Sequence, residues 1–150
     1  MLLEEETEKR REEISRLIKP NSIYFAHPIN TYNTDLEKVL VEIIKLGFPR
    51  YTLENPNQQY HQENYKFWKE NFGNGMKYYF EEILPKMSAG IGLPFEDGMY
   101  GAGIFGELKM LSEMGKPIWR ISWNGGIREI EKLNPELALS VGDTKKRVYQ

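Results

Sequence analysis

Hydrophobic positions along the chain alternate between short continuous runs and stretches spaced three or four residues apart. Ser22-Ile23-Tyr24-Phe25-Ala26 is a compact run of β-forming residues closed by His27-Pro28, which predicts a buried strand. Leu36, Val39, Leu40, Ile43, Ile44 and Leu46 then follow helical spacing behind a Thr34 or Asp35 cap, with Gly47 as terminator. Arg50-Tyr51-Thr52-Leu53 predicts a second strand, and the polar stretch from Glu54 to Gln59 leaves its C-terminal end as a loop.

Aromatic residues crowd between Tyr60 and Phe80, where Gly73-Asn74-Gly75 separates two helices, the second reaching about Leu84 ahead of Pro85. Rings at such mixed spacing predict mainly core packing; stacking on a base, sealing of a pocket or a subunit interface are the functional alternatives. Ala89 to Phe95 predicts a third strand although it contains glycines and a proline. Ile104, Phe105, Leu108, Met110 and Leu111 fit a helix from Gly103 to Met114 ended by Gly115, and Pro117 to Ser122 predicts a fourth strand.

Strands alternating with helices through the middle of the chain argue for an α/β layered fold with a mainly parallel sheet, whose ligands sit at the strands' C-terminal ends. The two ends differ from this middle. Glu4 to Ile18 is charged, apolar only at Ile14, Leu17 and Ile18, and predicts a solvated helical appendage over residues 1–20 that docks by its last turns. After the core at 22–122 comes an extension, 123–150, in which Ile127 to Leu133 reads as a helix. Leu137 to Val141 and Thr144 to Tyr149 read as a hairpin around Gly142-Asp143.

At 150 residues the chain is the size of a single domain. A net charge of −2 with mixed signs offers no basic face for nucleic acid and no polybasic run for anionic lipid, so a small-molecule ligand is expected. No cysteine is present, which excludes disulfides and thiolate chemistry. Without an apolar run long enough for a leader or a membrane span, a cytoplasmic protein is the expectation. Two histidines, His27 and His61, are too few for the common metal sites, so no metal is expected.

Chemistry concentrates in FEDGMYGAGIFGEL, residues 95–108, which spells G-x-G-x-x-G at Gly101, Gly103 and Gly106. A dinucleotide site wants that motif directly after a strand, with an acid about 20 residues on. Here five residues intervene, and Trp123 and Asn124 stand at that distance. A second reading gives the glycines to a sharp loop and close helix packing. A third gives them to the carboxylates Glu96, Asp97 and Glu107: a glutamate in the first turn of a helix is favoured in its ionised form, ready to act as a nucleophile. Paired with another carboxylate, it suits retaining glycosyl transfer.

Ile23-Tyr24-Phe25-Ala26-His27-Pro28, Phe95-Glu96-Asp97-Gly98 and Gly103-Ile104-Phe105-Gly106-Glu107-Leu108 together resemble the nucleoside 2-deoxyribosyltransferase superfamily, which includes hydrolases of deoxynucleoside monophosphates. The resemblance covers residues 22 to 122 and implies a flavodoxin-like, Rossmann-like three-layer sandwich with about four to five strands. It implies Glu107 as the nucleophile on C1′, Tyr24 as the residue holding it, and Asp97 as the acid assisting the leaving base, with no cofactor. It also implies a nucleoside or nucleotide substrate and a homo-oligomer. His27 and Pro28 after strand one, Asn30, Asn55 and Asn57 in loops, and Gly98 and Gly103 around the carboxylates are the candidate substrate contacts. Ile104 and Lys109 depart from the transferases' pattern and leave a hydrolase equally open. The alternative from another class is a non-catalytic domain that binds a nucleotide-derived ligand with its phosphate at the helix N-terminus.

Overall fold

The computed structural model describes residues 2–149, arranged as one five-stranded sheet flanked by helices on both faces. The strands are β1 (Ser22–Ala26), β2 (Thr52–Glu54), β3 (Ala89–Gly92), β4 (Ile118–Ile121) and β5 (Ile127–Glu129), in the order β2-β1-β3-β4-β5. The first four pair in parallel and β5 runs antiparallel to β4. This is the α/β three-layer, Rossmann-like sandwich that the alternating pattern predicts.

The two-residue period of a strand sorts β1 between two cores. Ile23 and Phe25 join Leu40 and Ile44 of α2 (Asp35–Gly47) on one face. Tyr24 and Ala26 point to the other, where they meet α1 (Leu3–Leu17), α3 (Gln59–Phe72) and α4 (Ala102–Glu113). Thr34 caps α2 by accepting from the Glu37 N–H, as its place ahead of the periodic run predicts.

The chain departs from the sequence expectation in three places. Ile127 to Leu133 is not a helix: Gly125, at φ +89°, lets the chain turn back, Ser122 N–H donates to the Gly126 carbonyl, and Ile127 pairs with Ile121. The expected hairpin at the C-terminus is instead α5 (Val141–Val148), started by Ser140, whose hydroxyl accepts from the Asp143 N–H. Asp143 in its first turn and Lys145, Lys146 and Arg147 in its last complement the helix dipole. Leu137 and Leu139 bracket Tyr100 with two backbone hydrogen bonds, so that segment pairs with the loop before α4. Finally, the second helix of the aromatic stretch is a π-helical turn over Tyr78–Ile83, followed by a 3₁₀ turn over Leu84–Lys86.

The glycines that weaken β3 as a strand have a packing reason. A Cβ on Gly90 would lie 2.4 Å from a Leu111 methyl, and one on Gly92 2.6 Å from a Leu108 methyl. Both leucines are fully buried, so α4 rests directly on the β3 backbone. That close approach sets the height of Glu107 above the sheet.

Candidate active site

Tyr24 and Glu107 meet where β1 passes under α4. The Tyr24 hydroxyl donates to Glu107 Oε2 at 2.5 Å, and both side chains are almost fully buried. Burial raises the tyrosine's pKa well above its ordinary value, and the neighbouring Glu107 adds to the rise, so the phenol stays protonated and a donor. Burial likewise raises Glu107 from 4.5 to about 7, and the Tyr24 hydrogen bond offsets only part of this. The expectation of a first-turn glutamate held ionised by the helix dipole is therefore corrected. Since α4 begins at Ala102, Glu107 lies in its second turn, where loss of water outweighs the dipole.

The pair lines a cavity of about 460 Å³ at the C-terminal ends of β1 and β3, the point at which the strand order reverses. His27 and Pro28 close one side, Gly101, Gly103 and Ile104 of the α4 start another, and Tyr65 and Tyr79 a third. Of the three glycines in the motif, Gly101 lies against the Thr144 methyl and Gly106 faces Phe80. Gly103 is exposed, and a Cβ there would meet only Met76, at 3.7 Å. Gly103 and Gly106 lie inside α4 rather than in a phosphate-binding turn, so the dinucleotide reading loses its geometry.

The other candidates divide. His27 borders the cavity, but both ring nitrogens are engaged: Nδ1 donates to the Phe25 carbonyl at 2.9 Å and Nε2 lies 2.6 Å from Glu37 Oε2. Phe25 stacks on its ring at 3.9 Å and Tyr32 leans on it at 4.7 Å, so His27 presents no free nitrogen to a ligand. Glu37 is held down to about 2 by hydrogen bonds from His27, the Asn33 N–H and Asn57, which together outweigh its burial. Asn57 thus serves the Glu37 carboxylate.

Asp97 lies outside the cavity, on the exposed turn after β3, in a bidentate ion pair with Arg147 at 2.9 and 2.8 Å. Arg147 holds its carboxyl below the usual range, whereas an acid that assists a leaving base would need its proton. Gly98, at φ +88°, makes that turn and borders a separate cavity of about 310 Å³ with Arg120 and Trp123. Asn30 is exposed beside Ile29, which does line the main cavity, and Asn55 accepts from the Asn57 N–H. These four residues do not join the Tyr24–Glu107 pair.

Family models, curated proteins and solved structures alike show no match to this chain. The geometry alone therefore carries the site.

Several cavity residues escape a reading of the sequence. Gln62, Tyr65 and Lys69 share one face of α3, a spacing hidden among the many rings of that stretch. Tyr79 reaches the cavity while its neighbour Tyr78 turns into the core, where its hydroxyl meets His61 Nδ1 at 2.6 Å. The π-helical turn makes this division, and only the tertiary structure reveals it. Tyr32 and Tyr79 both feel the Glu107 charge, and burial raises the pKa of each, so both are neutral hydroxyl donors beside it. From the far end of the chain, Thr144, Val148 and Tyr149 bring α5 over the cavity. Among the described residues no three His, Asp or Glu side chains gather into a metal site, and no helix is long and apolar enough to cross a membrane.

Proposed function

We propose that the chain is an enzyme that cleaves or transfers the N-glycosidic bond of a nucleoside-type substrate, with Glu107 as the nucleophile. The observation that carries this reading is a buried carboxylate, hydrogen-bonded by Tyr24, in a cavity beyond the strand ends whose lining includes Tyr32, Tyr65, Tyr79 and Phe95. Tyr24 fixes one oxygen, Oε2, and leaves Oε1 free of side-chain donors among the described residues.

In this mechanism Oε1 attacks C1′ as the C1′–N bond breaks, and the bond's electrons leave with the base, whose nitrogen takes a proton from solvent water. The resulting ester is opened when water or an acceptor base attacks C1′, gives up its proton to solvent, and the carboxylate departs as the anion. The reaction needs no cofactor. Asp97 has no part in it, because its carboxylate is tied to Arg147 outside the cavity. The tyrosine rings supply flat apolar walls for a base, and the hydroxyls of Tyr32 and Tyr79 supply donors for the sugar or for the developing charge. Burial raises the carboxylate's pKa to about 7, so near neutral pH a substantial share is in the ionised form that attacks, and that anion is poorly hydrated.

Incubation with deoxynucleosides, followed by chromatography of the free base, tests the reading. Release by the parent protein and its loss in a folded Glu107→Ala variant are expected; equal release by that variant would remove Glu107 from its role. The resemblance further implies a homo-oligomer, and light scattering on the eluting protein measures the assembly.

A further inference from the structure

A second cavity, of about 310 Å³, opens at the C-terminal ends of the neighbouring strands β3 and β4, and Phe95 is the wall it shares with the cavity of the Tyr24–Glu107 pair. The loops that leave those strands supply its lining, Pro94 to Glu96 from one and Ser122 to Asn124 from the other, with Arg120 contributed by β4 itself. Its apolar side is fixed in advance. The Trp123 indole N–H donates to the Pro94 carbonyl at 2.8 Å, and the ring packs against the core shared by β1 and α2.

The charges of this cavity are unpaired. Half-buried Arg120 and exposed Glu96 bring opposite signs to one small space, yet among the described residues neither makes a side-chain hydrogen bond or ion pair. The next residue, Asp97, holds Arg147 with two hydrogen bonds, so an acid of this turn does take an arginine that is within reach. Glu96 and Arg120 therefore stand apart, with room between them. Arg120 also lies directly opposite Arg128 across the β4–β5 ladder, on the same face of the sheet. Like charges so placed destabilise a sheet, and an anion beside them relieves the repulsion.

We propose that this cavity binds a free α-amino acid with an apolar side chain, its carboxylate on Arg120, its ammonium on Glu96 and its side chain against Trp123 and Phe95. A carboxylate matches the planar fork of a guanidinium with two parallel hydrogen bonds. A phosphate dianion would meet the same arginine but would be repelled by Glu96, whereas a zwitterion satisfies both charges at once. The Ser122 hydroxyl, free of hydrogen bonds among the described residues, is a further donor for the carboxylate. Neither the site nor its test depends on the glycosidic reading.

L-Leucine titrated into ¹⁵N-labelled protein, with the Trp123 indole N–H signal as readout, tests the proposal. In the parent protein the signal moves along a saturable curve. N-acetyl-L-leucine, which lacks the ammonium, and L-leucinamide, which lacks the carboxylate, each bind about tenfold more weakly or worse. Arg120→Gln loses the response to leucine. Glu96→Gln, a change on an exposed turn, binds leucine and N-acetyl-L-leucine alike, and the remaining signals of each variant report that its fold is intact. Should Arg120→Gln not fold, Glu96→Gln and the three ligands decide the matter. No saturable movement with leucine, equal affinity of the parent protein for the three ligands, or tighter binding of inorganic phosphate than of leucine overturns the proposal. Leucine binding left unchanged in a folded Arg120→Gln, or an unchanged preference in Glu96→Gln, does so too.

Discussion

The Tyr24 hydroxyl and the Glu107 carboxylate, 83 residues apart in the chain, share a 2.5 Å hydrogen bond in a place that water hardly reaches. One strand and one helix bring them together, and burial, offset in part by this hydrogen bond, governs when the carboxylate is charged. The reaction and the stability of the fold both depend on that charge, in opposite directions.

A nucleophilic carboxylate works only when ionised. Base release at saturating deoxynucleoside should therefore rise with pH through about 7, following Glu107, and level off above it. Tyr24→Phe removes the hydrogen bond that favours the carboxylate, so the rise moves to higher pH and the rate at pH 7 falls severalfold. A pH–rate profile of both proteins checks this, and an unmoved profile in Tyr24→Phe would deny the tyrosine its part.

The same raised pKa costs stability. Below 4.5 the group is protonated in both folded and unfolded chains and contributes nothing to the pH dependence. Between 4.5 and about 7 the folded protein holds the proton more tightly, so stability declines as pH rises, by ~3 kcal/mol in all for a shift of this size. Glu107→Gln should be inactive yet melt at a higher temperature than the parent protein at pH 8, with the gap closing towards pH 4.5. Thermal denaturation across that range measures it.

Gly92→Ala puts a methyl group where Leu108 already sits, at 2.6 Å from its nearest carbon. Overpacking of this kind costs about 1–3 kcal/mol. Because Leu108 is next to Glu107 on α4, the displaced helix should also lose base release. Urea unfolding gives the first number and the nucleoside assay the second.

Arg147→Met should loosen α5 without unfolding the core, since none of that helix's residues is buried. Hydrogen exchange over residues 141–148 should quicken while the melting temperature stays nearly constant. Asp97→Asn should behave alike, with KM raised and kcat retained. A collapse of kcat in Asp97→Asn would instead restore the acid role that the resemblance implies for it.

The sheet was readable because burial leaves plain marks: the apolar run of β1, the helical period of α2 and the β-formers of β4 each state their environment. Tyr24 and Glu107 were readable too, through their motif neighbours. Asp97 was misleading because an acid beside a glycine looks the same whether it faces a cavity or an arginine, and Arg147 lies in a segment whose Gly142-Asp143 suggests a turn. The signal for α5 was nevertheless present: Ser140 with Asp143 three residues later is a helix start, and it outweighs the glycine between them. The protonation of Glu107 has no local signature, because it depends on how many distant side chains exclude water.

The N-terminal helix α1 shapes any shortened version of this protein. Ile14 is buried in the same core as Tyr24, and Arg10 lies 4.3 Å from the Phe67 ring and donates to Asn64, which in turn donates to the Tyr78 hydroxyl. Tyr78 is bonded to His61 and adjoins Tyr79 of the cavity wall. Cutting the gene at codon 21, where the charged segment ends, would strip the aromatic wall of its backing. An expression clone or an affinity-tag junction should begin ahead of Leu3.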